Sequence, residues 1–204
     1  MRQNPTLNFE QSLWNQGLTH VAGIDEVGRG CLAGPIVVGA VIFEPGTKMI
    51  AGVRDSKMLS TEQRVSLAEQ IKEQALHYTI GVGSVELIND QGIVPALKCA
   101  INLALTQLKS CQRLLIDGRP LTSSEYQWPE TEYIIKGDKK SYSIAAASIL
   151  AKVYRDHLMK QLAEEFPEYG WDRNVGYGTK EHRQALRKIG KCEHHRELFL
   201  RKIL

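Results

Sequence analysis

Val21-Ala22-Gly23-Ile24-Asp25-Glu26-Val27-Gly28-Arg29-Gly30 is the stretch around which the rest of the chain arranges itself. Residues 21–24 form a short apolar run that reads as a strand. The run leads straight into two acids, Asp25 and Glu26. A glycine-rich turn follows, with Gly34-Pro35 close behind it. Residues 36–43, IVVGAVIF, then read as a buried strand. Two strands joined by so short a turn predict an antiparallel pair.

Downstream, Ser60-Thr61-Glu62-Gln63 fits a capping box, with Ser60 as cap and Gln63 reaching back. Leu67, Ile71 and Ala75 then share one helical face. Residues 78–85 are β-like. Residues 95–109 read as a helix with Leu97, Ile101, Leu105 and Leu108 on one face and Pro95 in its first turn. Residues 113–116 form a strand ending at Asp117-Gly118, and residues 133–135 another, ending near Lys136-Gly137-Asp138. A long Ala-rich helix covers 143–165, bounded by Pro167; short helices follow at 180–189 and 193–200. The order β-β-(β)-α-β-α-β-α predicts a mixed sheet with helices on its faces. Its β-α-β pieces are expected to be parallel and right-handed.

The chain has 204 residues, 43% of them hydrophobic and 24% charged. That composition is ordinary for a soluble globular domain with its own core. Cys31, Cys99, Cys111 and Cys192 show no C-x-x-C or zinc-finger spacing and read as four reduced thiols. The polar N-terminus from Met1 to Pro5 leads into no apolar signal core. The longest strongly apolar stretch, residues 36–43, is too short to span a membrane. A cytoplasmic protein is expected. The net charge of +3 is uneven: residues 1–135 hold 11 Lys and Arg against 14 Asp and Glu, residues 136–204 hold 15 against 9. A basic final third suits a phosphate backbone as partner. A solvated basic face explains such a bias as well.

Four carboxylates stand out by position: Asp25, Glu26, Asp117 and Asp138. Asp25 and Asp117 directly end apolar strands, and Asp138 lies in a turn between a strand and the Ala-rich helix. Ligand sites gather at the carboxyl ends of such strands. Several desolvated acids close together repel one another, and a divalent cation removes that cost. Mg²⁺ and Mn²⁺ accept a few carboxylates, water and substrate phosphate. Two such ions about 4 Å apart can flank a phosphodiester. The acids also have plainer readings. An Asp ahead of a helix is a common cap, and Asp-Gly a common turn. The Asp25-Glu26 pair has no such structural use.

The same opening stretch resembles the signature of the ribonuclease HII family. Asp55-Ser56-Lys57 resembles that family's second motif, and Ile116-Asp117-Gly118 its third. Lys136-Gly137-Asp138, with residues 143–153 (SIAAASILAKV) and Arg155-Asp156, resembles the longest. Gly176-Tyr177-Gly178-Thr179 with His182 resembles the last. The five motifs stand in family order across residues 20–190. The resemblance implies an α/β, ribonuclease H-like mixed sheet flanked by helices, with a small helical C-terminal extension. Residues 1–18, polar with scattered apolar positions, read as a short N-terminal arm; the resemblance then implies a catalytic domain (19–169) and a helical part (170–204) that completes the substrate groove.

It further implies an endonuclease using Mn²⁺ or Mg²⁺, two ions per event. Its substrates would be RNA–DNA hybrids and DNA duplexes containing ribonucleotides, including a single embedded one. The cut would fall 5′ to a ribonucleotide and leave a 5′-phosphate and a 3′-hydroxyl. Asp25, Glu26, Asp117 and Asp138 match the acidic metal-site positions, with Asp25 placed to bridge two ions. Gly28, Arg29 and Gly30 match the loop whose backbone contacts the 2′-hydroxyl, and Tyr177 the tyrosine at the ribonucleotide junction. Lys57, Lys136 and Lys152 are candidate phosphate contacts; each also reads as a solvated amine. Asp156, about 27 Å along a helix from Asp138, reads as structural, paired with Arg155 or a neighbouring helix. No protein partner is implied, and a monomer is expected. Lys139, Val175 and the ending Glu197-Leu198-Phe199 depart from the family pattern, so the C-terminal part is open to a different docking.

Two rivals are simpler. A non-catalytic nucleic-acid binding module on the same fold would use the basic third, but four acids beside a phosphodiester repel it unless metal intervenes. A dinucleotide-binding domain would explain glycines after an N-terminal strand, but the third glycine of that fingerprint is missing.

Overall fold

The computed structural model describes residues 4–121 and 126–201. The first three residues of the polar N-terminal segment and the last three of the C-terminal part lie outside the described residues. In chain order the elements are α1 (Asn8–Trp14), β1 (Val21–Val27), β2 (Ile36–Ile42), α2 (Thr61–Gln74), β3 (His77–Gly83), α3 (Val85–Gln91), α4 (Ile93–Gln107), β4 (Arg113–Asp117), β5 (Glu130–Ile134), α5 (Tyr142–Glu165), α6 (Trp171–Asn174), α7 (Lys180–Ile189) and α8 (Glu197–Leu200). Single 3₁₀ turns precede α2, α5 and α6, at Ser56–Met58, Gly137–Lys139 and Pro167–Tyr169.

The five strands form one mixed sheet in the order β3-β2-β1-β4-β5. β1 pairs antiparallel with β2, as the short Gly-rich turn predicts, and parallel with β4, which pairs parallel with β5. One expectation fails. β2 and β3 are joined through α2 yet pair antiparallel. α2 is therefore no parallel crossover; it packs beside α5, and the chain returns next to β2 in the opposite sense. The strand order differs too: no strand intervenes between β2 and α2, and β4 and β5 are consecutive strands.

Alternation along the strands sorts the core into two layers. Val21, Val41 and Leu115 pack with Ile144, Ala145 and Ile149 of α5 on one face. Ala22, Ile24, Ile42, Leu114 and Ile116 pack with Leu97, Ala100 and Ile101 of α4 on the other. The α5 face is stripped of side chains where the helix crosses. A Cβ at Gly23 would strike the backbone of Ser143 and Ile144, and one at Gly39 the carbonyl of Ala147. The Ala-rich front of α5 therefore lies almost directly on strand backbone.

The N-terminal segment is not a free arm. α1 carries Glu10, which is buried, to the N-terminus of α5. There one carboxylate oxygen accepts from Ser141 Oγ (2.6 Å), Ser143 N (2.9 Å) and Ser143 Oγ (2.5 Å). An acid at a helix N-terminus meets unpaired N–H groups and the positive end of the helix dipole. Thr6 and the 140–142 backbone add two further hydrogen bonds.

The remaining differences are local. Residues 78–85 split into β3 and the start of α3, because Ser84 caps a helix by accepting from Leu87 N. The strand expected at 133–135 runs from Glu130 to Ile134, and the helix expected at 193–200 begins only at Glu197. The capping box at Ser60 and Gln63 is present in full. All four cysteines are free. Among the described residues no helix is long and apolar enough to cross a membrane.

Candidate active site

Asp25 and Asp117 sit on adjacent parallel strands, each one residue past the Ile24–Ile116 pair. Strand alternation turns both toward the α5 face and turns Glu26 toward the α4 face. Asp138 follows the end of β5, in the 3₁₀ turn that leads into α5. Four acids from three distant parts of the chain thus gather at one end of the sheet, at the carboxyl ends of β1 and β4 and just past β5.

Their environment is dry and negative. Burial pushes the Asp25 carboxyl well above the usual carboxylate range; Glu26, Asp117 and Asp138 push it further, while a hydrogen bond with Ser148 of α5 opposes them. Glu26 is raised by burial and partly relieved by Arg29, whose guanidinium lies 3.3 Å away. Asp138 is raised by burial, then by Asp55 and Asp117, with Lys57 and Lys139 acting the other way. Asp117 is held by the Gly137 N–H, which donates to Oδ1 at 2.6 Å. Among the described residues no three His, Cys, Asp or Glu side chains stand close enough to form a ready-made cage for an ion. Asp25, Glu26 and Asp117 each have a hydrogen-bond or ionic partner within the protein instead: Ser148, Arg29 and the Gly137 N–H.

Asp25 and Glu26 open onto a cleft of about 500 Å³. Its walls bring together Gly28, Arg29, Gly30, Lys57, Lys152 and Tyr177, every other substrate-binding candidate except Lys136. Asp117 borders the adjoining hollow with Glu26 and Arg29. Tyr177 is 38% exposed, which rules out an ordinary core tyrosine, and partial burial pushes its pKa up to about 12. Lys136, the third candidate lysine, is exposed and adopts a left-handed backbone conformation, φ 58°.

The lysines are not all free amines. Lys152 donates to Asp156 Oδ1 at 2.7 Å and stands 6.0 Å from the centre of the Tyr177 ring. Asp156 also faces Arg64 of α2 at 3.6 Å. Its partner on the neighbouring helix is therefore Arg64; Arg155 is engaged elsewhere. Lys139 stands 3.6 Å from Asp55.

Asp55, Ser56 and Ser148 fall within the resembling motifs but receive no individual role from them. Asp55 is buried, caps its own 3₁₀ turn by accepting from Lys57 N at 3.0 Å, and adds a fifth negative charge beside Asp138. Ser148 bridges Asp25 to Ser56, whose Oγ is 2.9 Å from that of Ser148. The Asp55-Ser56-Lys57 motif was visible; its link to an inward-facing serine of the Ala-rich helix was not.

The C-terminal part contributes Tyr177 to the cleft wall. Its core joins Trp171, Tyr169 and Leu186 to Leu32, Ala33 and Met159 of the body. At its centre His182 Nδ1 lies 3.0 Å from the Tyr177 carbonyl. Trp171 Nε1 donates to His182 Nε2 at 3.2 Å, and the Nε2 atoms of His182 and His195 are 3.1 Å apart. A carbonyl can only accept, so His182 carries its proton on Nδ1. His195 Nδ1 accepts from Cys192 N at 3.0 Å, so its proton is on Nε2. Both rings are neutral, and each of these contacts then has one donor and one acceptor.

A mixed five-stranded sheet with acids gathered at its strand ends, facing a cleft with a glycine turn and a tyrosine, defines a nuclease of the ribonuclease H type. Residues 22–202 match the family model described as Ribonuclease HII, and the chain belongs to the ribonuclease HII family. It is 47% identical over 199 residues to the ribonuclease HII of Thermosynechococcus vestitus, covering 98% of this chain and 92% of that one. The crystal structure of ribonuclease H2 from Pyrococcus horikoshii superposes with a TM-score of 0.73 at 25% identity, covering 90% of this chain and 96% of that one. Bst ribonuclease HIII, solved in complex with Mn²⁺, shares the fold with a TM-score of 0.62 at 21% identity over 93% of this chain and 68% of that one. The chain is accordingly a ribonuclease H, an endonuclease acting on RNA–DNA hybrids, and the purely binding alternative falls away.

Proposed function

We propose that the chain cuts the phosphodiester 5′ to a ribonucleotide, in RNA–DNA hybrids and at single ribonucleotides embedded in duplex DNA, leaving 5′-phosphate and 3′-hydroxyl ends. The observation that carries this reading is the single cleft. It has desolvated acids on one side and, within the same 500 Å³, a glycine turn and an exposed tyrosine able to inspect a sugar.

Asp25, Glu26, Asp117 and Asp138 are the residues that would hold Mg²⁺ or Mn²⁺. The donor set fits: it is all carboxylate oxygen, suited to hard cations, and strained by mutual repulsion that a cation relieves. The ribonuclease HIII of the same fold was solved with Mn²⁺. When bound, the ions would supply an activated water and charge neutralisation at the leaving oxygen.

The chain's own residues do the rest. Ser148 orients Asp25 through its hydroxyl. The Gly137 N–H fixes one oxygen of Asp117, which borders the adjoining hollow with Glu26. Gly28, Arg29 and Gly30 approach the 2′-hydroxyl with backbone, the one group that marks ribose. Tyr177, kept neutral, offers a hydroxyl and a flat face to the junction sugar. Lys57 lies at the rim as a phosphate contact, and Lys152 is read as a clamp on Asp156 that also borders Tyr177. Residues 19–169 act as the catalytic body and 170–204 as the part that completes the groove; a cytoplasmic monomer is the working state.

A gel assay settles the matter: a DNA duplex with one ribonucleotide, incubated with Mg²⁺, Mn²⁺ or chelator. One cut on the 5′ side of the ribonucleotide, lost with chelator, is expected. Cutting that ignores the ribonucleotide, or continues in chelator, overturns the reading.

A further inference from the structure

Two arginines, Arg155 of α5 and Arg196 just before α8, are fully buried beneath the Gly28–Gly30 turn. Neither has a carboxylate partner among the described residues. Arg155 donates to the carbonyls of Pro35 (3.0 Å), Val175 (2.8 Å) and Ala33 (3.0 Å). Arg196 donates from Nη1 to Gly28 O at 2.7 Å and Arg29 O at 3.2 Å, and from Nε to Gly34 O at 2.8 Å. Gly28 is pressed onto this layer: its φ is +93°, and a Cβ there would strike the Arg155 guanidinium.

The direction of these bonds matters. A peptide unit is planar and trans, so its C=O and N–H point opposite ways. With Gly28 O and Arg29 O drawn down onto Arg196, the next two amides, Arg29 N–H and Gly30 N–H, are turned away from it. Neither amide has an acceptor among the described residues, and both residues wall the cleft. Arg196 Nη2 is buried without a partner. A buried cation left partly unsatisfied is a poor device for stability alone. What the other two nitrogens hold is the orientation of the turn. Burial lowers Arg196 only to about 10, so it remains charged at neutral pH.

We propose that Arg196 is a positioning residue for sugar recognition: by anchoring the carbonyls of Gly28, Arg29 and Gly34 it aims the Arg29 and Gly30 amides at the ribose 2′-oxygen. The inference rests on the reading that this turn meets the ribose. Arg196 touches no substrate itself. A lysine in its place keeps a charge but lacks the planar fork that spans the three carbonyls.

The test separates sugar recognition from folding. KM is measured in Mn²⁺ for a duplex with one ribonucleotide, and the all-DNA duplex of the same sequence is titrated as competitive inhibitor to give Ki. Wild type should show KM well below Ki. In Arg196→Lys, with a native far-UV spectrum, Ki should hold while KM climbs toward it, so that the ratio falls about tenfold, equivalent to the loss of about 1.4 kcal/mol of discrimination. Arg196→Gln, which keeps a shorter planar amide and drops the charge, should retain more of the ratio than Arg196→Met; if either apolar or neutral variant fails to fold, the lysine variant decides alone. A folded lysine variant with an unchanged ratio, or one in which KM and Ki rise together, overturns the role of Arg196. A wild-type enzyme with KM equal to Ki overturns instead the reading of the turn on which it rests.

Discussion

The Nε2 atoms of His182 and His195 face each other at 3.1 Å inside the C-terminal part, and the pair is built for two neutral rings. Burial and the neighbouring His182 lower His195 to about 4; burial also lowers His182. The unfolded chain protonates these rings near 6.5, before the native state does. Between pH 6.5 and about 4 the unfolded state binds more protons, so stability falls as pH falls and is complete above pH 6.5. The loss attributable to His195 is on the order of 3 kcal/mol by pH 4. Urea midpoints at pH 7.5 and 4.5 measure it. His195→Gln should flatten the dependence; an equally steep profile in that variant would show that other groups cause it.

Asp25→Asn should lower cleavage of the single-ribonucleotide duplex by at least about a hundredfold and leave the fold intact. It removes a negative charge from a desolvated group surrounded by three other acids, so its thermal midpoint without metal should equal or exceed that of wild type. Full activity in this variant would remove the four-acid site from the account.

Tyr177 separates two substrates. Tyr177→Ala should slow cutting at one embedded ribonucleotide by about tenfold or more beyond its effect on a long RNA–DNA hybrid, since a lone ribose offers a single sugar to inspect. Tyr177→Phe keeps the ring and isolates the hydroxyl. Equal losses on both substrates would assign Tyr177 to general phosphate or groove contact.

Glu10 ties α1 to the start of α5 through three hydrogen bonds from Ser141 and Ser143. Glu10→Ala should cost about 2–4 kcal/mol, the range for hydrogen bonds to a buried charged group together with the donors left unpaired. Denaturant unfolding reads the loss directly. A change under about 0.5 kcal/mol would mean that the α1 contact contributes little to stability.

The parts of the molecule that were legible in the sequence are those with local signals. Asp25 and Asp117 announce themselves by ending apolar strands, and Ser60 and Gln63 form the capping box that their spacing promises. Gly28-Arg29-Gly30 and Tyr177 stand out through the motif resemblance, and the structure puts them on one cleft with Asp25 and Glu26. What stayed hidden depends on contacts across the chain. Nothing in the sequence near Glu10 shows that it reaches Ser143, and nothing near Asp156 selects Arg64 over Arg155. Arg155 and Arg196 bond to backbone carbonyls, which every residue has, so no pattern of side chains gives them away. The antiparallel return of β3 was missed for the same reason: α2 has the helical period of a crossover, and only its packing beside α5 shows that it is not one.

The link from Arg196 to Gly28 joins positions 168 residues apart, which sets a timetable for biosynthesis. The sheet and α5 can assemble on the emerging nascent chain, because synthesis delivers residues 21–165 first. The Gly28–Gly30 turn, proposed above to meet the ribose, acquires its Arg196 anchor only after residue 196 has left the ribosome. On the proposal above, a chain released short of that point would keep Asp25, Glu26, Asp117 and Asp138 but leave the turn slack, and discrimination of a stray ribose in DNA would be the first capacity it lacked.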